Sequence, residues 1–512
     1  MPEPKLAARL PLRATLILVL AAAVIAGVLP LPGGAAPETV VRTVRVPMRE
    51  LLPAAAGRQI SLEGGELRSA AVAQTGRVVV CSPMRSTGLG VTWRQPGPGE
   101  VHTSVATRTT DGSWSRPVRL DSDDDADPGT PDASAGTRGS SFLWTGGSRC
   151  VRLSLELDAG VRLSDLAVVF VDSSGDLAAA SGSLPAASAV ASRPRIVTRE
   201  DWGADPNLMN CTPSVADEVR MGFVHHTAGS NDYTQEESDD VIRGVYAYHT
   251  NGRGWCDIGY NFLVDRFGTV YEGRSGGVDQ PVIGAAQMGF NTRAFSVSVM
   301  GNFETAQVPR AVQRSLVRIL TWRLDVAHVN PLSRATMTSA GGDNTRFEAG
   351  TVVRLNAISG HRDTGFTACP GANLYPLLPK IRNRVAARGL PKIWKPRLNH
   401  EQLVLGDPVN VRVRARGSAV LEWSVAVLGP DGTLFADLGT QAGQRLDLVW
   451  PKGGPPPHPT EPGAYAIRVR AVDGVGGVAR SVLLPLEVVA APSPSPSPSV
   501  SPSPSVSPSA SP

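Results

Sequence analysis

Val151, Leu153, Leu155 and Leu157 alternate with Arg152, Ser154 and Glu156. A period of two sends one row of side chains to a buried face and the other to water, the signature of a half-buried strand. Arg77–Val80, Gly90–Trp93, Val101–Thr109 and Leu166–Val171 read as strands too, with Gly, Asp and Ser turns between them. The pattern over about 38–185 predicts an all-β sandwich. Near residue 194 the rhythm changes. Val219–His226 reads as a strand, and Thr234 with Glu237 forms a capping-box signature for a helix running to about His249. Asn261–Val264 and Thr269–Glu272 read as two strands joined at Asp265–Gly268, and Phe295–Met300 as another. Pro309 opens a helix to about His328. A last helix, Asn373–Arg388, is stopped by Gly389 and Pro391. This interleaving over 194–390 predicts an α/β domain with a mixed β-sheet and flanking helices. Strands return over 396–490. Val409, Val411 and Val413 alternate with Asn410, Arg412 and Arg414, and Tyr465, Ile467, Val469 and Ala471 follow the same rule, with a turn at Gly429–Gly432. A small immunoglobulin-like β domain fits.

The ends are of other kinds. Lys5, Arg9 and Arg13 precede an apolar run, Ala14–Leu29, which is broken by Pro30, Pro32, Gly33 and Gly34 and followed by Ala35-Ala36. Residues 1–36 read as a signal peptide, with an uncleaved anchor as the alternative. The run is shorter than the ~20 apolar residues a spanning helix needs, and no stable membrane span is expected after its removal. Residues 178–191, rich in Ala, Ser and Gly, read as a linker. The Pro-Ser repeat over 492–512 reads as an extended, disordered tail. The chain is thus expected to be multidomain, exported to the exterior or the cell wall, and monomeric.

Composition narrows the function classes. The 512 residues are 42% hydrophobic and 19% charged, as in soluble globular proteins, and the net charge is only +4. No basic run with interleaved aromatics appears, which argues against nucleic acid. Ser122–Asp127 holds four aspartates. Without EF-hand spacing, a solvated loop is favoured there over a calcium site.

Five cysteines suit an exported chain with two disulfides and one thiol set aside for another task. Cys81 and Cys150 lie in one region and are expected to staple the sandwich; Cys211 and Cys256 lie in another. Cys369 is left over. It stands eight positions after His361 on a Gly/Pro-bounded loop, Gly360–Gly371. A second imidazole source lies upstream at His225-His226. Two imidazoles and one thiolate leave one position open for water, the pattern of a catalytic zinc site and of metal-assisted hydrolysis. Neighbours on a strand face opposite sides, so only one of His225 and His226 can join His361 and Cys369. The strand alone does not say which. Ordinary sheet histidines, a buried free thiol, and a structural zinc site completed by His249 or His226 are the competing readings.

Four motifs occur in order: His225-His226-Thr227-Ala228-Gly229, Gly254–Phe262, Gly268–Arg274, and the His361–Gly371 loop. Together they resemble the peptidoglycan recognition proteins and the related zinc-dependent N-acetylmuramoyl-L-alanine amidases, and Arg195–Gly203 looks like that family's domain entry. The likeness covers roughly 195–390. It implies an amidase domain with Zn2+ held by His225, His361 and Cys369. It implies that Tyr260 hydrogen-bonds the attacked carbonyl oxygen or the zinc water, and that Thr367 assists. It also pairs Cys211 with Cys256. After Gly273-Arg274, where many recognition proteins continue Gly-Trp, this chain has Ser275-Gly276-Gly277. The preferred third residue of the stem peptide is therefore open.

The implied activity is hydrolysis of the amide between N-acetylmuramic acid and L-alanine in peptidoglycan. A non-catalytic peptidoglycan-binding protein is the first alternative, against which Cys369 argues, because binding-only members typically lack the cysteine. A structural wall protein built on the two flanking β regions is the second, against which the intact ligand set argues.

Overall fold

The computed structural model describes residues 41–48, 67–68, 77–97, 99–109, 111–122, 125–133, 137–158, 161–175, 191–450 and 457–491. The 1–36 segment, most of the 178–191 stretch and the 492–512 repeat lie outside the described residues. No helix among the described residues is long and apolar enough to cross a membrane.

Two antiparallel sheets make up the N-terminal region. One runs Arg42–Pro47, Arg162–Asp172, Gly88–Arg94, Thr137–Gly139, with Leu67–Arg68 and Leu143–Trp144 pairing off this path. The other runs Arg77–Cys81, Cys150–Leu157, Val101–Thr107, Val118–Leu120. Val80, Val105, Val151 and Leu153 from the second sheet meet Leu89, Val91, Trp93, Val168 and Phe170 from the first in one core. Cys81 and Cys150 face each other in register and form a disulfide. Leu166–Val171 departs from simple alternation: all six residues are buried. Val168 and Phe170 enter the inter-sheet core, whereas Val169 and Val171 point to the opposite face. A continuous apolar run of this kind is a strand covered on both sides, and the second cover is the central region.

The central sheet has the order Val270–Glu272, Phe262–Val264, Ala294–Val299, Met221–His226, Ile358–Gly360. Its first pair is antiparallel and the others are parallel, so the sheet is mixed as predicted. Val224, Phe262, Val264, Val297 and Val299 pack against the helices Arg310–Val326 and Leu378–Ala386 on one face. The helix Ser238–Ala247 covers the other, with Leu263, Tyr260 and Tyr271 beneath it. Its entry is the predicted capping box: Thr234 N–H donates to Glu237 Oε2 at 2.8 Å, and Glu237 N–H donates to Thr234 Oγ1 at 3.3 Å. The α-helix ends at Ala247, and a π-turn, Tyr248–Gly252, extends it. The last helix is shorter than predicted, a 3-10 turn at Tyr375–Leu377 preceding Leu378–Ala386. A hairpin, Arg334–Thr338 with Val352–Asn356, was not signalled by the sequence; in its first strand only Ala335 and Met337 supply the buried row.

Apolar packing joins the N-terminal and central regions, mostly in one cluster, with Ala126 against Trp255 and Ala285 as a smaller one. Phe142, Trp144, Val169 and Val171 pack with Trp202, Val241, Val245, Tyr246 and Tyr248. A side chain at Gly244 would strike the Phe142 ring, and one at Gly90 would strike Tyr248, so both approaches require glycine.

The C-terminal strands are hydrogen-bonded into one continuous sheet. The 18-residue strand Val411–Leu428 pairs with Ile393–Leu398 along its first part and with Gly463–Asp473 along its second, and Leu434–Trp450 follows it throughout. A register shift between Arg416 and Leu421 lets this ribbon turn over a single core that includes Val413, Trp423, Leu446 and Ile467. Basic residues that are scattered in sequence meet here. Arg397 is paired with Arg414 and Arg416 with Arg445, all on the outer surface beside Lys395.

Candidate metal centre

His225 lies near the carboxyl end of its strand, and the parallel neighbour Ile358–Gly360 delivers His361 at its own carboxyl end. Open α/β sheets build their sites at this end. His361 begins a one-turn 3-10 segment, fixed where Gly360 N–H donates to Asp363 Oδ2 at 2.9 Å. The chain then returns: Arg362 N–H donates to the Cys369 carbonyl at 3.0 Å, and Cys369 N–H to Thr367 Oγ1 at 3.1 Å. Gly371, with φ of +98°, sits against the Phe303 backbone and closes the turn.

These elements bring His225, His361 and Cys369 together, with one ligand atom from each lying within 4.8 Å of the others. His225 Nδ1 is 3.8 Å from Cys369 Sγ. Two ligands of a tetrahedral zinc, at Zn–S of about 2.3 Å and Zn–N of about 2.0 Å, would stand roughly 3.6 Å apart. The donor set therefore fits the ion. All three residues are buried, at 1%, 3% and 5% exposure. Burial above all, and then the neighbouring His361 and His226, hold the His225 imidazole well below its ordinary pKa. That keeps it neutral, the form that binds a metal. The buried His225 Nε2 has no hydrogen-bond partner among the described residues.

His226 points elsewhere. Its Nδ1 accepts from Phe303 N–H at 3.1 Å, and its Nε2 lies 3.1 Å from Asp121 Oδ2. Its backbone N–H donates to Cys369 Sγ at 3.3 Å. His249 Nδ1 accepts from Gly259 N–H at 3.1 Å. The structural four-ligand reading thus loses the His226 ring to other partners, and His249 is not among the mutually close ligands. Tyr260 is buried, its ring centroid 5.7 Å from that of His225. Thr367 is half-buried at the wall of a cleft of about 880 Å³, shared with Asp121, Asn302, Asn344 and Phe366. Its hydroxyl is engaged with the Cys369 backbone. Cys211 and Cys256 form the second disulfide, and Cys369 is buried and belongs to neither disulfide.

Carboxylates of the N-terminal region that the sequence did not assign also enter here: Asp125 touches a candidate ligand, and Asp127 and Asp132 touch other residues of the central region. Asp125 Oδ1 lies 3.2 Å from His361 Nε2 and accepts from Asn344 Nδ2 at 3.0 Å. Asp127 Oδ1 accepts from Gly289 N–H at 2.6 Å and from Asn291 Nδ2 at 2.9 Å, and burial pushes its pKa up to about 6. Asp132 Oδ1 accepts from Cys256 N–H at 2.9 Å, and its Oδ2 pairs with Arg274 at 2.5 Å. The expectation of a solvated loop over Ser122–Asp127 is therefore corrected at Asp125 and Asp127. Both are buried, because the central region supplies donors for their carboxylates. Only the acidic composition of the run hinted at this, and composition does not say what a carboxylate faces.

Residues 216–372 match the family model described as N-acetylmuramoyl-L-alanine amidase. Peptidoglycan-recognition protein SC2 of Drosophila simulans is 30% identical over 181 residues, which are 35% of this chain and 82% of that protein. Peptidoglycan recognition protein 1 of Bos taurus is 31% identical over 183 residues, 36% of this chain and 82% of that one. Among solved structures, the endolysin N-acetylmuramoyl-L-alanine amidase LysCS of Clostridium intestinale URNW aligns with 38% of this chain and 97% of its own, at 23% identity and a TM-score of 0.25. With ligand-set geometry, family model and relatives in agreement, the chain belongs to the peptidoglycan recognition protein and type 2 N-acetylmuramoyl-L-alanine amidase family.

Proposed function

We propose that the chain is an exported zinc-dependent amidase that hydrolyses the bond between the lactyl group of N-acetylmuramic acid and L-alanine of the stem peptide. The observation that carries this is the convergence of His225, His361 and Cys369 on one buried point. When bound there, zinc supplies Lewis acidity and a water activated near neutral pH. His225 and His361 offer neutral nitrogens, and Cys369 offers a sulfur held by the His226 N–H. Thr367 acts on Cys369 by fixing the turn that presents it. The Tyr260 hydroxyl is assigned to the oxygen that gains charge as the carbonyl is attacked, since donors aimed at developing charge carry much of such catalysis. In this reading 194–390 is the amidase domain, and the β regions 38–185 and 396–490 flank it as a β-sandwich and an immunoglobulin-like domain that add wall contact.

Recognition without cleavage is the second reading, and one observation favours it: His225, His361, Cys369 and Tyr260 are all at most 6% exposed. Zinc analysis of the purified chain, with mass spectrometry of peptidoglycan incubated with it, separates the two. Cleavage releases stem peptides with a free L-alanine amine; recognition leaves them attached to the glycan.

A further inference from the structure

The low exposure of the site has an identifiable source. A peptidoglycan strand is a polymer, and the side chains its lactyl amide would have to approach are only 1–6% exposed. Part of the cover is Asp125–Asp132, which belongs to the N-terminal β region and not to the fold that holds the ligands. This segment sets a carboxylate against the ligand His361, another against Gly289 and Asn291, and a third against Arg274. Asp121 adds a contact to His226, the neighbour of His225. Asp125 and Asp132 are 2% and 4% exposed.

The contact between Asp125 and His361 is unusual. The two atoms stand 3.2 Å apart, yet His361 Nε2 has no hydrogen-bond partner of good geometry among the described residues. A histidine merely oriented by a carboxylate donates its N–H along the line to the oxygen. Here the carboxylate lies beside the ring nitrogen without that bond, and its Oδ1 accepts from Asn344 Nδ2.

We propose that Asp125–Asp132 is a resident occupant of the space over the metal centre, and that the segment must be displaced before substrate can enter. This identifies residues outside the ligand-bearing fold as part of the site, and it makes the full-length chain a closed form. The substrate named here rests on the amidase reading; the occlusion itself does not.

Displacement need not undock the whole N-terminal region. That region is held by the apolar interface of Phe142, Trp144, Val169 and Val171, whose separation would return large apolar side chains to water. The segment is held chiefly by carboxylate contacts to Asn291, Asn344, Arg274 and backbone N–H groups, which water or a polar ligand can replace, and its apolar contact is small, Ala126 against Trp255 and Ala285. It is therefore the part that moves while the interface stays closed.

The test uses the full chain carrying Asp125→Ala, Asp132→Ala, or both. Because Asp132→Ala leaves Arg274 buried without its ion pair, Asp125→Ala is also measured alone, and thermal unfolding of each variant is recorded. Two readouts are independent of activity: the rate at which EDTA removes zinc, and the rate at which iodoacetamide alkylates Cys369 in metal-free protein. Both should rise at least tenfold in a variant that stays folded, and turnover of a soluble muropeptide should rise with them. Faster EDTA removal and alkylation without cleavage would uphold the occlusion and sink the amidase reading. Unchanged access rates in folded variants would overturn the proposal. So would an Asp125→Ala chain that binds zinc more weakly while Cys369 is alkylated no faster, because Asp125 would then support His361 instead of covering it.

Discussion

The N-terminal region meets the central region through two patches that are built differently. One is apolar: Phe142, Trp144, Val169 and Val171 against Tyr246, Tyr248 and their neighbours. The other is polar: Asp125, Asp127 and Asp132 against His361, Asn291, Asn344 and Arg274. The apolar patch gains by removing area from water and has no competitor in solution. The polar patch exchanges hydrogen bonds that water can also make, so its net stabilisation is small per contact. The difference separates what fixes the two regions together from what can open and close the site.

Cys369→Ala should give the largest effect, and it should fall on the polar side alone. Zinc content should drop to background and hydrolysis below detection, while circular dichroism and the apolar interface stay as they were. His225→Ala should behave alike, and His226→Ala should keep its zinc. A His226→Ala chain that loses zinc while His225→Ala retains it would reverse the assignment of the two histidines.

Tyr260→Phe comes next. Zinc and KM should hold while kcat falls about a hundredfold, because the hydroxyl acts on charge present only in the transition state. An unchanged kcat would leave Tyr260 as an aromatic packed between His225 and His249.

Phe142→Ala probes the apolar patch. Loss of a buried phenylalanine costs about 3–5 kcal/mol, and here part of that cost should appear as earlier unfolding of the N-terminal region in hydrogen exchange. Protection that falls equally everywhere would mean that the two regions unfold as one unit.

The smallest effect concerns pH. Asp127 is pushed up to about 6 by burial, so its protonated form is favoured in the seated segment. Seating is fully supported below the ordinary carboxylate value near 4 and weakens as pH rises through 6. The rate of zinc removal by EDTA, taken as the ratio of the native chain to Asp127→Asn, should climb a few-fold between pH 5 and 7. A flat ratio would remove Asp127 from the hold.

The contrast between the patches also explains what could be read in advance. His361 and Cys369 were legible as a pair on one loop, His225 rather than His226 followed only from the family resemblance, and Thr234 with Glu237 was legible because a capping box is local. The parallel strands that join His225 to His361 follow from buried runs such as Phe223-Val224 and Phe295–Val299. The cover was not legible. Asp125 finds Asn344 across 219 positions and Asp127 finds Asn291 across 164, and a polar run carries no periodicity that reports its burial. The Arg397–Arg414 and Arg416–Arg445 pairs were missed for the same reason, since cross-strand register rather than sequence proximity assembles them. The double burial of Leu166–Val171 was written in its unbroken apolar run, but the partner face was not.

The most direct measurement of the central claim is mass spectrometry of muropeptides after incubation with the zinc-loaded full chain, run beside its Cys369→Ala variant. The account predicts free stem peptides beginning at L-alanine, accumulating with the zinc-loaded chain and absent with the variant. Bound but uncut muropeptides in both samples, with one zinc per native chain, would contradict it.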